Sequence, residues 1–134
     1  MKKLYVFLFS VAIAFTTKVN PSPLHEAVKK NNITSLISLI DTQKYNVNEF
    51  DEEGFTPLHY AALLGYLACT HVLVDNGKAD IDLIVEHGPY VGNSAKRLAQ
   101  RAKKTDIVSF LKAKKMQESF DNCDCLGLIA WVIS

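Results

Sequence analysis

Apolar residues in the middle of the chain come in two short bursts at helical spacing, each closed by a glycine. The first runs through Leu58, Ala61 and Ala62 and predicts a helix that starts at Pro57 and stops at Gly65. Thr56 is placed to cap it, and Pro57 suits the first helical position because its missing N–H costs nothing there. The second burst, Leu67, Cys69, Val72 and Leu73, predicts a helix over about 67–75 with Gly77 at its end. An extended Ala79-Asp80-Ile81-Asp82 follows, so the unit reads helix, turn, helix, projecting loop.

The unit recurs. Pro23-Leu24-His25-Glu26-Ala27 matches Pro57-Leu58-His59-Tyr60-Ala61 at an offset of 34 residues, and Asn46-Val47-Asn48 matches Asp80-Ile81-Asp82 at the same offset. In this first copy Leu24, Ala27 and Val28 make one apolar face, and Leu36, Ile37, Leu39 and Ile40 make the next. Asparagine stands at its helix end, where it tolerates a left-handed backbone. A weaker third copy starts at Gly92-Asn93-Ser94-Ala95, with Leu98, Ala99, Ala102, Ile107, Val108, Phe110 and Leu111 inward. Its offset is 38, so four residues are inserted in the loop before it.

A period of roughly 33 residues carrying T-P-L-H-x-A resembles the ankyrin repeat family. The resemblance implies an all-α fold, an ankyrin repeat solenoid of about three helix-turn-helix units (22–50, 51–85 and 86–115) with projecting β-hairpin loops. Pro23, Leu24, His25, Ala27, Gly54, Thr56, Pro57, Leu58, His59, Ala61, Gly65 and Gly77 occupy the positions of the structural motif. It also implies that His25 and His59 hold neighbouring turns together.

The ends of the chain lie outside the repeats. Met1-Lys2-Lys3, an apolar run and a small-x-small ending at Ala14 have the layout of a secretory signal peptide over 1–14, with later cleavage up to 20 as a variant. A linker, 15–21, precedes Ser22, which is placed to cap the first helix. The protein is therefore expected to be secreted or periplasmic. The tail, 116–134, ends in nine mostly apolar residues, too few to span a bilayer. It is expected to fold back over the last unit; contact with a membrane surface is the other reading.

Charge and candidate chemistry change little. The chain of 134 residues carries a formal charge of +1, or −1 without Lys2 and Lys3, which leaves 13 basic against 14 acidic residues. That balance suits one globular domain and argues against nucleic acid as the main partner. No phosphate loop, nucleophile elbow or H-E-x-x-H occurs, so no enzyme, cofactor or metal site is expected. His71 and His87 read as surface residues, and Cys69 as a small buried hydrophobe. Cys123-Asp124-Cys125 is a weak metal motif, and the alternative function is a membrane-associated or metal-binding protein acting through that tail.

What remains is binding surface. The family meets protein partners through loop tips and inner helices, which implies Glu52, Glu53, Phe55, Tyr60, Leu63 and Leu64 in the middle unit. Glu26, Lys29 and Lys30 match them in the first unit, and Asn93, Arg101 and Ala102 in the third. Tyr90, in the apolar second loop, joins this set. Aromatic and aliphatic groups with an acidic rim have the anatomy of a protein-binding hot spot, although Tyr60, Leu63 and Leu64 also suit packing between helices. The expectation is a monomeric, non-enzymatic binder of one protein partner.

Overall fold

The computed structural model describes residues 22–122. The expected signal peptide (1–14), the linker (15–21) and residues 123–134 of the tail lie outside them. Helices α1 (Pro23–Lys29) and α2 (Ile33–Asp41) form the first pair. Helices α3 (Pro57–Leu64) and α4 (Leu67–His71, continued by a π-helical turn over Val72–Asn76) form the second, and α5 (Ala95–Arg101) and α6 (Thr105–Asn122) the third. They stack in two layers: α1, α3 and α5 pack side by side in one row, and α2, α4 with its π turn, and α6 make the other. The described fold is all-α, as the repeat pattern implies.

Side-chain caps start only two of these short helices, Asn32 at α2 and Thr56 at α3; Ser22, expected to cap α1, makes no cap bond, and α1 starts on Pro23 instead. Thr56 accepts from the backbone of His59, Pro57 fills the first position, and Gly65 ends α3 in the left-handed region at φ +84°. Asn31 and Lys103 adopt the same conformation at the matching places in units one and three, at φ +52° and +58°. Helices this short are not stable alone, so the layers hold them. Leu24, Leu58 and Leu98 in the inner row, and Leu36, Leu73 and Leu111 in the outer one, are essentially fully buried. Each contributes on the order of 2 kcal/mol by leaving water.

Three features depart from the pattern. Gly77 ends the second helix in an ordinary right-handed conformation, φ −81°, and the left-handed residue is Lys78 at φ +55°, although Gln43 shows that Gly77 stands at the matching place. The π turn widens the end of the second helix, and the left-handed stop comes one residue later although the 34-residue offset holds on both sides. Gly77 is needed for closeness instead: a Cβ there would lie 2.8 Å from the Leu73 carbonyl oxygen and 3.2 Å from Val47. The last helix runs on to Asn122, seven residues past Lys115, with Met116 and Phe120 exposed on the extension.

The projecting loops, finally, are built mostly from turns. Among the described residues one antiparallel bridge occurs, Ile84 with Ser94. Side chains satisfy the loop backbone where strand pairing does not: Asn46 Oδ1 accepts from Asn48 N, Asp80 Oδ1 from Asp82 N, and Asn48 Oδ1 reaches across to Asp80 N at 2.8 Å.

Candidate partner-binding site

Asp51 organises the first projecting loop. Its Oδ1 accepts from the amides of Glu53 and Phe55, both at 3.0 Å, and its Oδ2 accepts from the Tyr60 hydroxyl at 2.8 Å. Burial works against the carboxylate, but these bonds outweigh it and hold its pKa below the usual carboxylate value. The Tyr60 hydroxyl also lies 2.9 Å from Glu53 Oε2, so one proton serves two carboxylates. Burial, then the two carboxylates, push the phenol far above its ordinary pKa, and it stays a donor. Lys29 lies 3.8 Å from Asp51 Oδ2 and 4.3 Å from the centre of the Tyr60 ring.

The two repeated histidines tie this loop and the next to the inner helices. His25 Nε2 donates to the Phe55 carbonyl at 2.9 Å, and His59 Nε2 donates to that of Leu83 at 2.8 Å. The tautomer of His59 is fixed, because its Nδ1 accepts from the backbone amide of Thr56 at 3.0 Å. Asn93, not Leu83, matches Phe55 at the 38-residue offset, but its carbonyl is taken by Val85 N in the loop bridge. The inserted residues thus change which carbonyl the histidine meets. The third unit carries Arg97 at the histidine position, exposed, with no further unit packed against it among the described residues.

Between the two loops lies a concave site of about 340 Å³. Phe55, Tyr60 and Leu63 form its floor, the segment His87 to Tyr90 its wall, and Glu52 and Glu53 its rim. Phe55 stacks on Tyr60 with ring centres 4.9 Å apart and meets Tyr90 edge-on at 6.0 Å. Tyr90 is placed by a 3-10 turn over Gly88–Tyr90, and Arg101 lies 5.7 Å from its ring centre. The site combines an aromatic floor, convergent polar groups and partial enclosure, the general form of a binding pocket.

Six of the residues named from sequence therefore meet in one place: Glu52, Glu53, Phe55, Tyr60, Leu63 and Tyr90. Leu64 does not line it and is 42% exposed beside it. Phe55 and Tyr60, at 5% and 8% exposure, are as much core as surface. Sequence reasoning missed Asp51 as the organiser and His87 to Pro89 as the wall. The Asp51…Gly54 spacing of a side-chain-capped turn was the available signal for the former. Cys69 is buried and donates towards Asn31 Oδ1 at 3.3 Å, while His71 is exposed, bonded to Asp75 and packed on Phe110.

Among the described residues no group of three His, Cys, Asp or Glu side chains is placed to hold a metal, and no helix is long and apolar enough to cross a membrane. Cys123 and Cys125 lie outside those residues.

Comparison with known proteins agrees with this architecture. The family model described as "Ankyrin repeats (3 copies)" matches residues 2–85, more than half of the chain. The chain belongs to the ankyrin repeat family, whose repeats are protein-interaction scaffolds. Ankyrin repeat domain-containing protein 13C-B of Xenopus laevis is 44% identical over 52 residues, 39% of this chain and 10% of that protein. The chain thus spans about a tenth of the length of the first curated relatives it matches. A chain in the complex of the Bdellovibrio bacteriovorus predatory endopeptidase Bd0816 with immunity protein Bd3460 is 26% identical, with TM-score 0.61 over 69% of this chain and 46% of that one. A chain in the complex of yeast ribosomal protein Rps3 with its chaperone Yar1 is 25% identical, with TM-score 0.60 over 80% and 83%.

Proposed function

We propose that this is an exported, non-enzymatic ankyrin repeat protein that binds one protein partner through the concave site between its projecting loops. The observation that carries the reading is the convergence of Phe55, Tyr60, Leu63 and Tyr90 under the Glu52–Glu53 rim. Aromatic anchors in a partly enclosed hollow with a polar margin are what protein hot spots consist of. Export rests on the signal-peptide layout of residues 1–14. Two settings suit such a protein: an accessory or immunity partner in a periplasm, or a protein released to act on a host. Similarity to a chain of the endopeptidase–immunity protein complex supports the first.

The test is recovery of the partner. The tagged full chain is cross-linked in the cells that make it, the extracytoplasmic fraction is isolated, and captured proteins are compared with those of a Leu63→Ser/Tyr90→Ala variant. Both side chains are only half-buried, so the variant is expected to keep its fold, verified by its circular dichroism. One protein enriched with the natural chain and lost with the variant supports the reading. Capture that ignores the substitutions, or a chain confined to the cytoplasm, overturns it.

A further inference from the structure

We infer that the concave site takes a basic side chain, arginine before lysine, from an exposed segment of the partner protein; this rests on the binding reading above and adds the partner's chemistry. Its rim supplies two carboxylates, Glu52 and Glu53, while its lining contains neither lysine nor arginine. Among the described residues neither carboxylate has a cation within ion-pair distance. The chain's nearest cations lie by the rings and not on the rim: Lys29 pairs with Asp51 and lies over the Tyr60 ring, and Arg101 lies by the Tyr90 ring.

Glu53 is the exposed carboxylate with fewer donors from the protein. It shares the single Tyr60 hydroxyl proton with Asp51, at 2.9 and 2.8 Å. Asp51 also receives two backbone amides, whereas Glu53 Oε2 has only that hydroxyl among the described residues. An apolar occupant would strip water from both rim carboxylates and return nothing, and an acidic one would be repelled. An arginine returns five N–H donors, and its stem suits the apolar surface of Leu63 and Pro89 beside the half-buried Tyr90 ring. That both tyrosines of this cluster already attract a cation of the chain itself shows the rings suit that contact.

The probes are blocked pentapeptides with arginine, lysine, citrulline or norleucine flanked by two glycines on each side, titrated into the 15N-labelled full chain while the amides of Gly54, Gly88 and Asn93 are followed. The arginine peptide is expected to give saturable shifts there. Citrulline, which keeps the shape and loses the charge, should bind about tenfold more weakly. A Glu52→Gln/Glu53→Gln variant, which still offers Tyr60 an acceptor, should bring arginine down to the citrulline level at unchanged melting temperature. Equal binding of citrulline or norleucine, no shift with arginine, or full binding by the double variant overturns the inference. The two readings fail separately. Partner capture that depends on Leu63 and Tyr90 but not on charge leaves the concave-face reading standing, whereas capture indifferent to Leu63 and Tyr90 removes both.

Discussion

His59 donates its Nε2 proton to the carbonyl of Leu83 at 2.8 Å while its Nδ1 accepts from Thr56 N at 3.0 Å, so one buried ring joins the start of its own helix to the second projecting loop. The Nδ1 bond requires the neutral imidazole, whereas the Nε2 bond survives protonation. Burial is the main cause that holds its pKa below 6.5, although the Leu83 bond pulls the other way. The unfolded chain takes up a proton near pH 6.5 that the folded chain refuses. His59 therefore contributes fully above pH 6.5, and its contribution is lost as pH falls from there towards the lower folded value. Urea titrations at pH 8 and pH 5 should show a lower midpoint at pH 5, and a His59→Ala variant should flatten part of that difference while costing about 3 kcal/mol at pH 8.

Asp51 titrates at the acid end. Its pKa is below 3.8 in the folded chain, so the stability it gives is present above 3.8 and is lost as pH falls through the folded value. Asp51→Ala removes the acceptor for two amides and the Tyr60 hydroxyl and is expected to cost about 2 kcal/mol, with Asp51→Asn costing less because one oxygen remains. Thermal melts at neutral pH rank the two; equal losses would mean that charge, rather than acceptor geometry, organises the loop.

Gly54 and Gly65 both have positive φ, +76° and +84°, yet their substitution should differ. A Cβ on Gly54 would lie 2.6 Å from the backbone nitrogen of His87, whereas one on Gly65 would meet the movable end of Lys104 at 2.6 Å. Gly65→Ala is expected to cost about 1 kcal/mol from backbone strain alone, and Gly54→Ala at least about 2 kcal/mol because the second loop must also move. Amide hydrogen exchange at Glu86 and His87 should accelerate in the Gly54 variant only.

Tyr60→Phe separates the floor of the site from its polar network. The ring keeps its stack on Phe55, and the loss of the hydroxyl shared by Asp51 and Glu53 is expected to cost about 1 kcal/mol. Unfolding midpoints measure this, and an unchanged midpoint would show that water replaces the hydroxyl without loss.

Leu64, 42% exposed and outside the concave site, is the control. Leu64→Ser should leave stability within about 0.5 kcal/mol and partner capture intact, since surface changes away from special contacts are nearly neutral.

The repeat, its helices and the identity of its buried positions were legible in the chain because they are local and periodic. Thr56, Pro57 and Gly65 act within one helix, and Leu24 and Leu58 bury the same face 34 residues apart. Asn31 as a left-handed helix end was legible for the same reason. The site was legible only as a set of free positions. Nothing local told Leu64 from Leu63, because adjacent helical residues point in different directions and only the packed neighbours decide which one meets the hollow.

Sequence by itself determined the repeating unit, the helix starts and most stops, and the pairing of His25 and His59, all of which depend on propensity, capping and spacing within a few turns. Tertiary structure decided the rest. The carbonyl that His59 reaches and the single proton that Tyr60 shares between Asp51 and Glu53 depend on how each loop folds back on the helices, and the close approach at Gly77 and the closure of the second loop over Phe55 depend on contacts between units. The four inserted residues show why: their number is read from the chain, but where they place Tyr90 is set by the surface they fold against.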